Sequence, residues 1–269
     1  MSNVQTREVG NLLRDWRKRR RLSQLDLACE ADISSRHLSF LETGRSRPSR
    51  EMVLHLAERL DIPLRERNVL LVAAGYAPVF RERSLGDPTL EAARKAIDLV
   101  LAGHEPYPAI AIDRHWTLVA QNRVVPLLLA GVDSSLLAPP INVLRLSLNP
   151  RGLAPRIVNL SEWRAHLLAR LRRQIDATAD PILARLFDEL SSYRVARERE
   201  FNATASPDYA GVAVPLRFAM DEGVLSFIST TTVFGTPVDI TLSELALESF
   251  FPADAATSDT LNRILKRVQ

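Results

Sequence analysis

Arginine is the residue type in this chain with the most chemistry to offer, and its distribution points to an anion. Of the 35 Lys and Arg in 269 residues, 32 are Arg and 3 are Lys. Residues 1–84 hold 16 Lys+Arg against 11 Asp+Glu, a net of +5, while residues 85–269 hold 19 against 21, a net of −2. A high-GC coding bias would explain Arg over Lys but not the asymmetry between the ends, so an anionic partner is expected for the first third only. Other chemistry is thin. His37, His55, His104, His115 and His166 are scattered, with no HExxH and no cysteine cluster, so no metal site is expected, and haem through His104, His115 or His166 is a minor alternative. No GxSxG elbow, GxxxxGK[ST] loop or GxGxxG loop occurs, so neither catalysis nor a cofactor is expected. Cys29 stands alone, which fits a reducing compartment.

Apolar residues at 46% and charged residues at 25% are the proportions of a globular chain, and the length favours two domains at roughly 100–200 residues each. The opening MSNVQTREVG has no apolar core, so no secretory signal is expected. The longest uncharged stretch, Gly223 to Val238, is rich in Ser, Thr and Gly and falls short of the roughly 20 apolar residues of a spanning helix. A cytoplasmic protein without membrane insertion is expected.

The elements that must position the arginines are helices. Val9, Leu12, Leu13 and Trp16 follow one helical face, with Arg14 and the run Arg17 to Arg21 on the other faces and the end, where cations also suit the helix dipole. Ser23 opens a second helix with Asp26 as its capping-box partner. Asp32-Ile33 breaks the chain, and Ser34 caps a third helix with Leu38 and Leu41 inward and Gly44 at its C-cap. Ser49 caps a fourth, with Val53, Leu56, Ala57 and Leu60 on one face. A fifth runs from Pro63 to Ala74, with Gly75 past its end.

Two short helices joined by a tight turn amid others are the helix-turn-helix plan. The wording LSQLDLACEADISSRHLSFLETGRSRPS resembles the XRE/Cro/C1 repressor family over about residues 9–75, through Ser23-Gln24, Leu27-Ala28, Ser34, Leu38, Leu41-Glu42, Gly44 and Pro48-Ser49. Asp32 stands where the family turn usually has Gly, and Asp tolerates left-handed backbone. The resemblance implies a double-stranded DNA operator as partner. The N-terminal end of the second motif helix would enter the major groove, with Ser35, Arg36 and Phe40 facing base edges and Ser39 nearer the sugar-phosphate wall. Arg36 can donate two hydrogen bonds to a guanine, and Phe40 can meet a thymine methyl or serve as half-buried packing. Gln24 would contact a phosphate, Ser34 would cap the helix and secondarily touch phosphate, and Arg45 and Arg47 would add phosphate contacts that position without specifying sequence.

Residues 76–88 mix Gly, Pro and charge without a period and read as a linker. Asp87-Pro88 then caps a helix to about Leu101. Ile110 and Ile112, then Trp116 and Leu118, alternate in two short strands with Asp113-Arg114 as the turn. Helices follow near Asn122 to Ala130, from Ser161 and from Asp180-Pro181, and Arg194 to Glu200 reads as a solvated face or loop. Val212, Val214, Leu216 and Phe218 alternate in a third strand, Val224 to Phe234 forms a fourth after the Asp221-Glu222-Gly223 turn, and Leu245, Leu247 and Phe251 alternate in a fifth after Gly235-Thr236-Pro237. Two strands, a helical middle and three strands make an α+β order, a five-stranded antiparallel sheet with one apolar face under the inserted helices.

That order is PAS-like. HEPYPAIAIDRHW, LAPPINVLRL and STTTVFGTPVDITLSELALESFFPAD resemble the MmyB-like transcription regulator C-terminal domain over residues 88–254. The resemblance implies a cavity for a small apolar ligand such as a fatty acid, bound as effector. Strand parity gives Ile110, Ile112, Trp116, Leu118, Val214, Leu216, Phe218, Leu245 and Leu247 as inward residues, whose alternative is a plain hydrophobic core. Arg145, inside INVLRL, is the cation expected to meet a ligand carboxylate, unless it snorkels from an element edge. The chain is thus read as a multidomain regulator: an all-α five-helix DNA-binding domain over 1–75, a linker over 76–88, and a PAS-like ligand-binding and homodimerising domain over 89–269. A constitutive DNA-binding protein whose second domain only dimerises, or an enzyme with a vestigial helix-turn-helix, are the alternatives.

Overall fold

The computed structural model describes residues 9–194, 214–235 and 239–266. Val212, residues 195–200 of the charged stretch and Thr236-Pro237 of the last expected turn lie outside them. The chain forms two compact units, the first mainly residues up to Glu82 and the second mainly those from Arg83 onward.

The first unit is the expected five-helix bundle: α1 (Val9–Arg19), α2 (Gln24–Glu30), α3 (Ser35–Glu42), α4 (Arg50–Arg59) and α5 (Leu64–Ala73). A serine opens each of the middle three. Ser23, Ser34 and Ser49 accept from the backbone N–H of Asp26, His37 and Met52 at 3.1 Å each. Asp26 returns a carboxylate oxygen to the Ser23 N–H at 2.8 Å, completing a capping box. Leu13, Trp16, Leu27, Leu38, Leu41, Leu56 and Leu71 close the core. α1 packs tightly on the end of α3. A Cβ on Gly10 would lie 2.4 Å from the Leu41 carbonyl oxygen and 2.9 Å from that of Glu42, so only glycine lets the two backbones approach this closely. Tyr76 and Val79, read as linker, pack on this core. The Asn68 side chain explains why: it donates to the Phe80 carbonyl at 2.7 Å and accepts from the Val79 and Phe80 N–H groups, giving partners to a backbone that forms no ladder.

The second unit begins with a 3₁₀ turn at Pro88–Leu90 and continues through α6 (Glu91–Gly103), β1 (Ala109–Ile112), β2 (Leu118–Gln121), α7 (Val125–Leu128), α8 (Ser134–Leu137), α9 (Val143–Leu148), α10 (Leu160–Thr178), α11 (Pro181–Ser192), β3 (Leu216–Met220), β4 (Gly223–Val233), α12 (Ile240–Ser243), β5 (Ala246–Pro252) and α13 (Ala255–Lys266). The five strands form one antiparallel sheet in the order β2-β1-β5-β4-β3. The PAS-like α+β plan is therefore the one adopted. It differs from the expectation in having both faces of its centre covered. All four residues of β1 are buried. Ile110 and Ile112 face the main core with Leu144, Trp163, Leu167 and Phe218. Ala109 and Ala111 face the other way, into a smaller core with Ile97 and Leu101 of α6 and with Leu245 and Leu247.

Three local readings are corrected. Trp116 belongs to no strand: it turns the chain at φ +66°, its N–H donating to the Asp113 carbonyl at 3.0 Å, and β2 starts two residues later. The helix expected over 122–130 shrinks to the single turn of α7, which has Pro126 in its first turn and is soon followed by Gly131 in the left-handed region at φ +79°. The long helix starts at Leu160 rather than being capped by Ser161.

Candidate DNA-binding surface and ligand cavity

The first candidate site is built on α2, the turn and α3. Asp32 takes the left-handed conformation at φ +51°, so the departure from glycine is accommodated. With Leu38 and Leu41 turned inward, the remaining faces of α3 are open. Ser34, Ser35 and Arg36 are exposed and Ser39 and Phe40 are half-buried. The Arg36 guanidinium lies 5.4 Å from the centre of the Phe40 ring and that of Arg45 lies 5.9 Å from it, so the expected base-reading arginine and one phosphate-binding arginine flank one aromatic ring. Arg45 and Arg47 are exposed, and among the described residues neither they nor Arg36 form an ion pair. Three exposed cations without ion pairs, on α3 and in the loop just after it, offer charge to an anionic partner.

Gln24 has a partner within the protein. Its amide Nε2 donates to Glu42 Oε2 at 2.8 Å, which uses one of the two amide N–H donors. Glu42 is buried, 1% exposed, and is the hub of this corner. Arg17 grips it with Nε at 2.6 Å and Nη2 at 2.8 Å, and Arg14 Nε lies 3.6 Å away. Burial alone would raise the Glu42 carboxyl. The hydrogen bonds from Arg17 and Gln24, with the charges of Arg17 and Arg14, outweigh it and hold the group below the usual carboxylate range. The same pairing raises Arg17. Sequence reasoning had Glu42 only as a motif letter. The legible signal was a charged residue directly after Leu41 on the inward face of a helix.

The second candidate site is a cavity of about 130 Å³ between the sheet and α7, α9 and α10. Of the residues expected to line it, Ile110, Trp116, Leu118, Leu216 and Phe218 do. Ile112 is buried in the same core but off the cavity wall, and Val214 packs at the core's margin. Leu247 of β5 and Leu245, which precedes that strand, belong to the opposite core: β5 is central and packed on both faces, which parity cannot tell apart. Arg145 is also displaced. INVLRL folds as helix α9, which sends Leu144, Leu146 and Leu148 inward and Arg145 out to Glu189, at 2.8 and 2.7 Å. Tyr193 donates to the same carboxylate at 2.6 Å.

Sequence reasoning missed the cavity's polar groups, Gln121, Ser147, Arg170 and Glu248. Arg170, on α10, stacks with its guanidinium 4.6 Å from the centre of the Trp116 ring. It pairs with Glu248 of β5 through both Nη atoms, and Nη2 also donates to Thr231 Oγ1 at 2.8 Å. Trp116 Nε1 donates to Gln174 at 2.8 Å and Trp163 Nε1 to Ser147 Oγ at 3.1 Å, so both indoles are fixed at the wall. Glu248 sat in the sequence at a polar position of an alternating strand, where solvent exposure was the default.

The family model described as MmyB-like transcription regulator ligand binding domain matches residues 93–264, and one described as helix-turn-helix domain matches residues 8–70. Both descriptions are of regulator-type domains. No curated protein matches the chain. Among the described residues no helix is long and apolar enough to cross a membrane, and no cluster of His, Cys, Asp and Glu could hold a metal ion.

Proposed function

The chain belongs to the MmyB-like transcription regulator family, and from that premise we propose a sequence-specific, XRE-type regulator whose operator binding is set by a small apolar effector in the second unit. The carrying observation is the apolar cavity in the matched ligand-binding region of a chain that also presents Arg36, Arg45 and Arg47 without ion pairs among the described residues. Arg36 reads a base edge and Arg45 and Arg47 hold phosphates. The protein acts as a homodimer in the bacterial cytoplasm, since one recognition helix covers few base pairs and two-fold proteins read paired half-sites.

The effector is small. An engineered apolar cavity of roughly 150 Å³ takes one benzene, so a space of about 130 Å³ holds a molecule of similar bulk. Of a fatty acid, the class that the resemblance implies, it holds a short chain or the end of a longer one. Extraction of the purified full-length protein followed by mass spectrometry tests this reading. An apolar molecule recovered in stoichiometric amount, whose removal changes operator affinity, supports it. Equal operator binding by the loaded and emptied protein at matched salt leaves a constitutive DNA-binding protein instead.

A further inference from the structure

Both end strands of the sheet are protected against pairing with another chain. β2 is four residues long, lies beside a bulge at Ala111–Ile112, and gives the Leu118 N–H to the Ile141 carbonyl at 2.8 Å. On the outer side of β3, the Arg217 carbonyl accepts from the Val158 N–H at 2.8 Å, and its N–H donates to Asn159 Oδ1 at 3.1 Å. β4 is different. It runs for 11 residues, but β3 pairs with it only from Gly223 to Phe227. Pro215, just before β3, supplies no N–H, and its carbonyl accepts from the Asn159 side chain at 2.8 Å. Residues 228–233 of β4 therefore overhang β3.

The alternation of the ladder decides which backbone groups are left over there. Ser226 turns both of its groups to the β5 side: its carbonyl accepts from Ala253 at 2.8 Å and its N–H donates to Thr257 Oγ1 at 2.9 Å. Phe250, opposite Ser229, points its N–H away from β4, to the Pro108 carbonyl at 3.0 Å. Ile228, Thr230 and Thr232 thus bond to β5, while Ser229, Thr231 and Val233 point their N–H and C=O groups outward. Among the described residues none of these outward groups has a partner. Thr230 to Val233 are exposed, Val233 at 62%.

The occupant that fits this edge is a second copy of it. The edge lies in the uncharged stretch Gly223–Val238, and residues 228–233 include no proline. In a two-fold pair the segment meets itself, so a charged edge would set like charges together, which this one does not. An antiparallel pair centred on Thr231 sets Thr231 opposite itself and Ser229 opposite Val233. The outward groups then close about six backbone hydrogen bonds. Thr231 stands on that two-fold axis and also beside the cavity. Its Oγ1 donates to Glu248 at 2.9 Å and accepts from Arg170 at 2.8 Å, and both of those residues line the cavity.

Resting on the reading of the protein as a homodimer, we propose that residues 228–233 of β4 form its interface. Two copies join edge to edge into one continuous sheet with five strands from each protomer.

Light scattering of the free full-length protein over a concentration series, combined with amide hydrogen exchange, tests this. A dimer is expected in which the Ser229, Thr231 and Val233 amides exchange at least about a hundredfold more slowly than in an unstructured chain. A dimer with less protection than that at these amides overturns the inference and leaves dimerisation to another surface. A monomer at every concentration overturns both this inference and the reading it rests on, and amides protected in that monomer assign the edge to another segment of the chain. Val233→Pro removes one outward N–H from each protomer and no bond to β5. Its urea midpoint is expected to hold while the dimer dissociation constant rises about tenfold or more. A Val233→Pro dimer as tight as the unmodified one overturns the inference. Should that variant fail to fold, exchange in the unmodified protein still decides.

Discussion

Arg36, Arg45 and Arg47 carry the same charge, yet the proposed function gives them different work. Arg36 stands at the exposed start of α3, so Arg36→Ala is expected to cost about 1–3 kcal/mol at the operator and little on random DNA. Arg47→Ala is expected to weaken both equally and to lower the salt dependence by about one counterion, measured by titration across salt concentrations. Glu42 is a stability residue. Glu42→Gln leaves Arg17 buried with a partner that carries no charge, and breaking such a pair costs about 3–5 kcal/mol, read as a lower urea midpoint. Its pH dependence has a definite sign. The folded-state pKa lies below the unfolded value of about 4.3, so the stabilisation is complete above that value and is lost as pH falls through the folded one. The variant should therefore show a shallower acid limb than the unmodified protein. At this scale the sequence revealed residue types but not their partners. Ser34 was legible because a cap is local, whereas Gln24's bond to Glu42 and Arg170's pair with Glu248 join residues 18 and 78 apart, a separation that no local pattern reports.

Between elements, the α1–α3 contact is the most demanding. Gly10→Ala would drive a methyl into the carbonyls of Leu41 and Glu42, which are backbone and cannot swing aside. A loss of about 1–3 kcal/mol or more is expected, with a matching fall in Tm. Gly103→Ala, at the end of α6 with open space around its Cβ, is the control and is expected to be neutral or stabilising by up to about 1 kcal/mol. Helices α2 to α5 were readable because each opens on a serine cap or a proline, and α1 because Val9, Leu12, Leu13 and Trp16 share one face. The sheet was readable in strand number and order. Its cavity face was not, since β1 and β5 are covered on both sides and alternation then loses its contrast between inside and outside. INVLRL was ambiguous for a related reason: a short apolar run fits a strand or one buried turn of helix, and the position of Arg145 depends on which.

At the scale of the whole molecule, the proposed function requires occupancy of a cavity in one unit to be coupled to DNA contacts made by the other. A ligand shifts DNA affinity only by its differential affinity for the binding-competent and incompetent arrangements. Coupling of about 1–3 kcal/mol would change operator affinity about 5- to 150-fold, checked by titrating operator into emptied and loaded full-length protein. By reciprocity, operator DNA must change the ligand's affinity by the same factor, which calorimetry on the preformed DNA complex measures. Leu216→Trp, which adds bulk at the cavity wall, is expected to abolish ligand binding and to fix operator affinity at one value whatever the ligand concentration.

The indoles fixed at the cavity wall have an optical consequence. Trp116 and Trp163 both line the cavity, while the third tryptophan, Trp16, lies in the core of the other unit. Indole emission follows local polarity and quenching, so filling the cavity changes the light from two of the three tryptophans and leaves the third as an internal reference. The protein thus carries a built-in fluorophore for the proposed effector, and a candidate library can be screened on it with no dye attached.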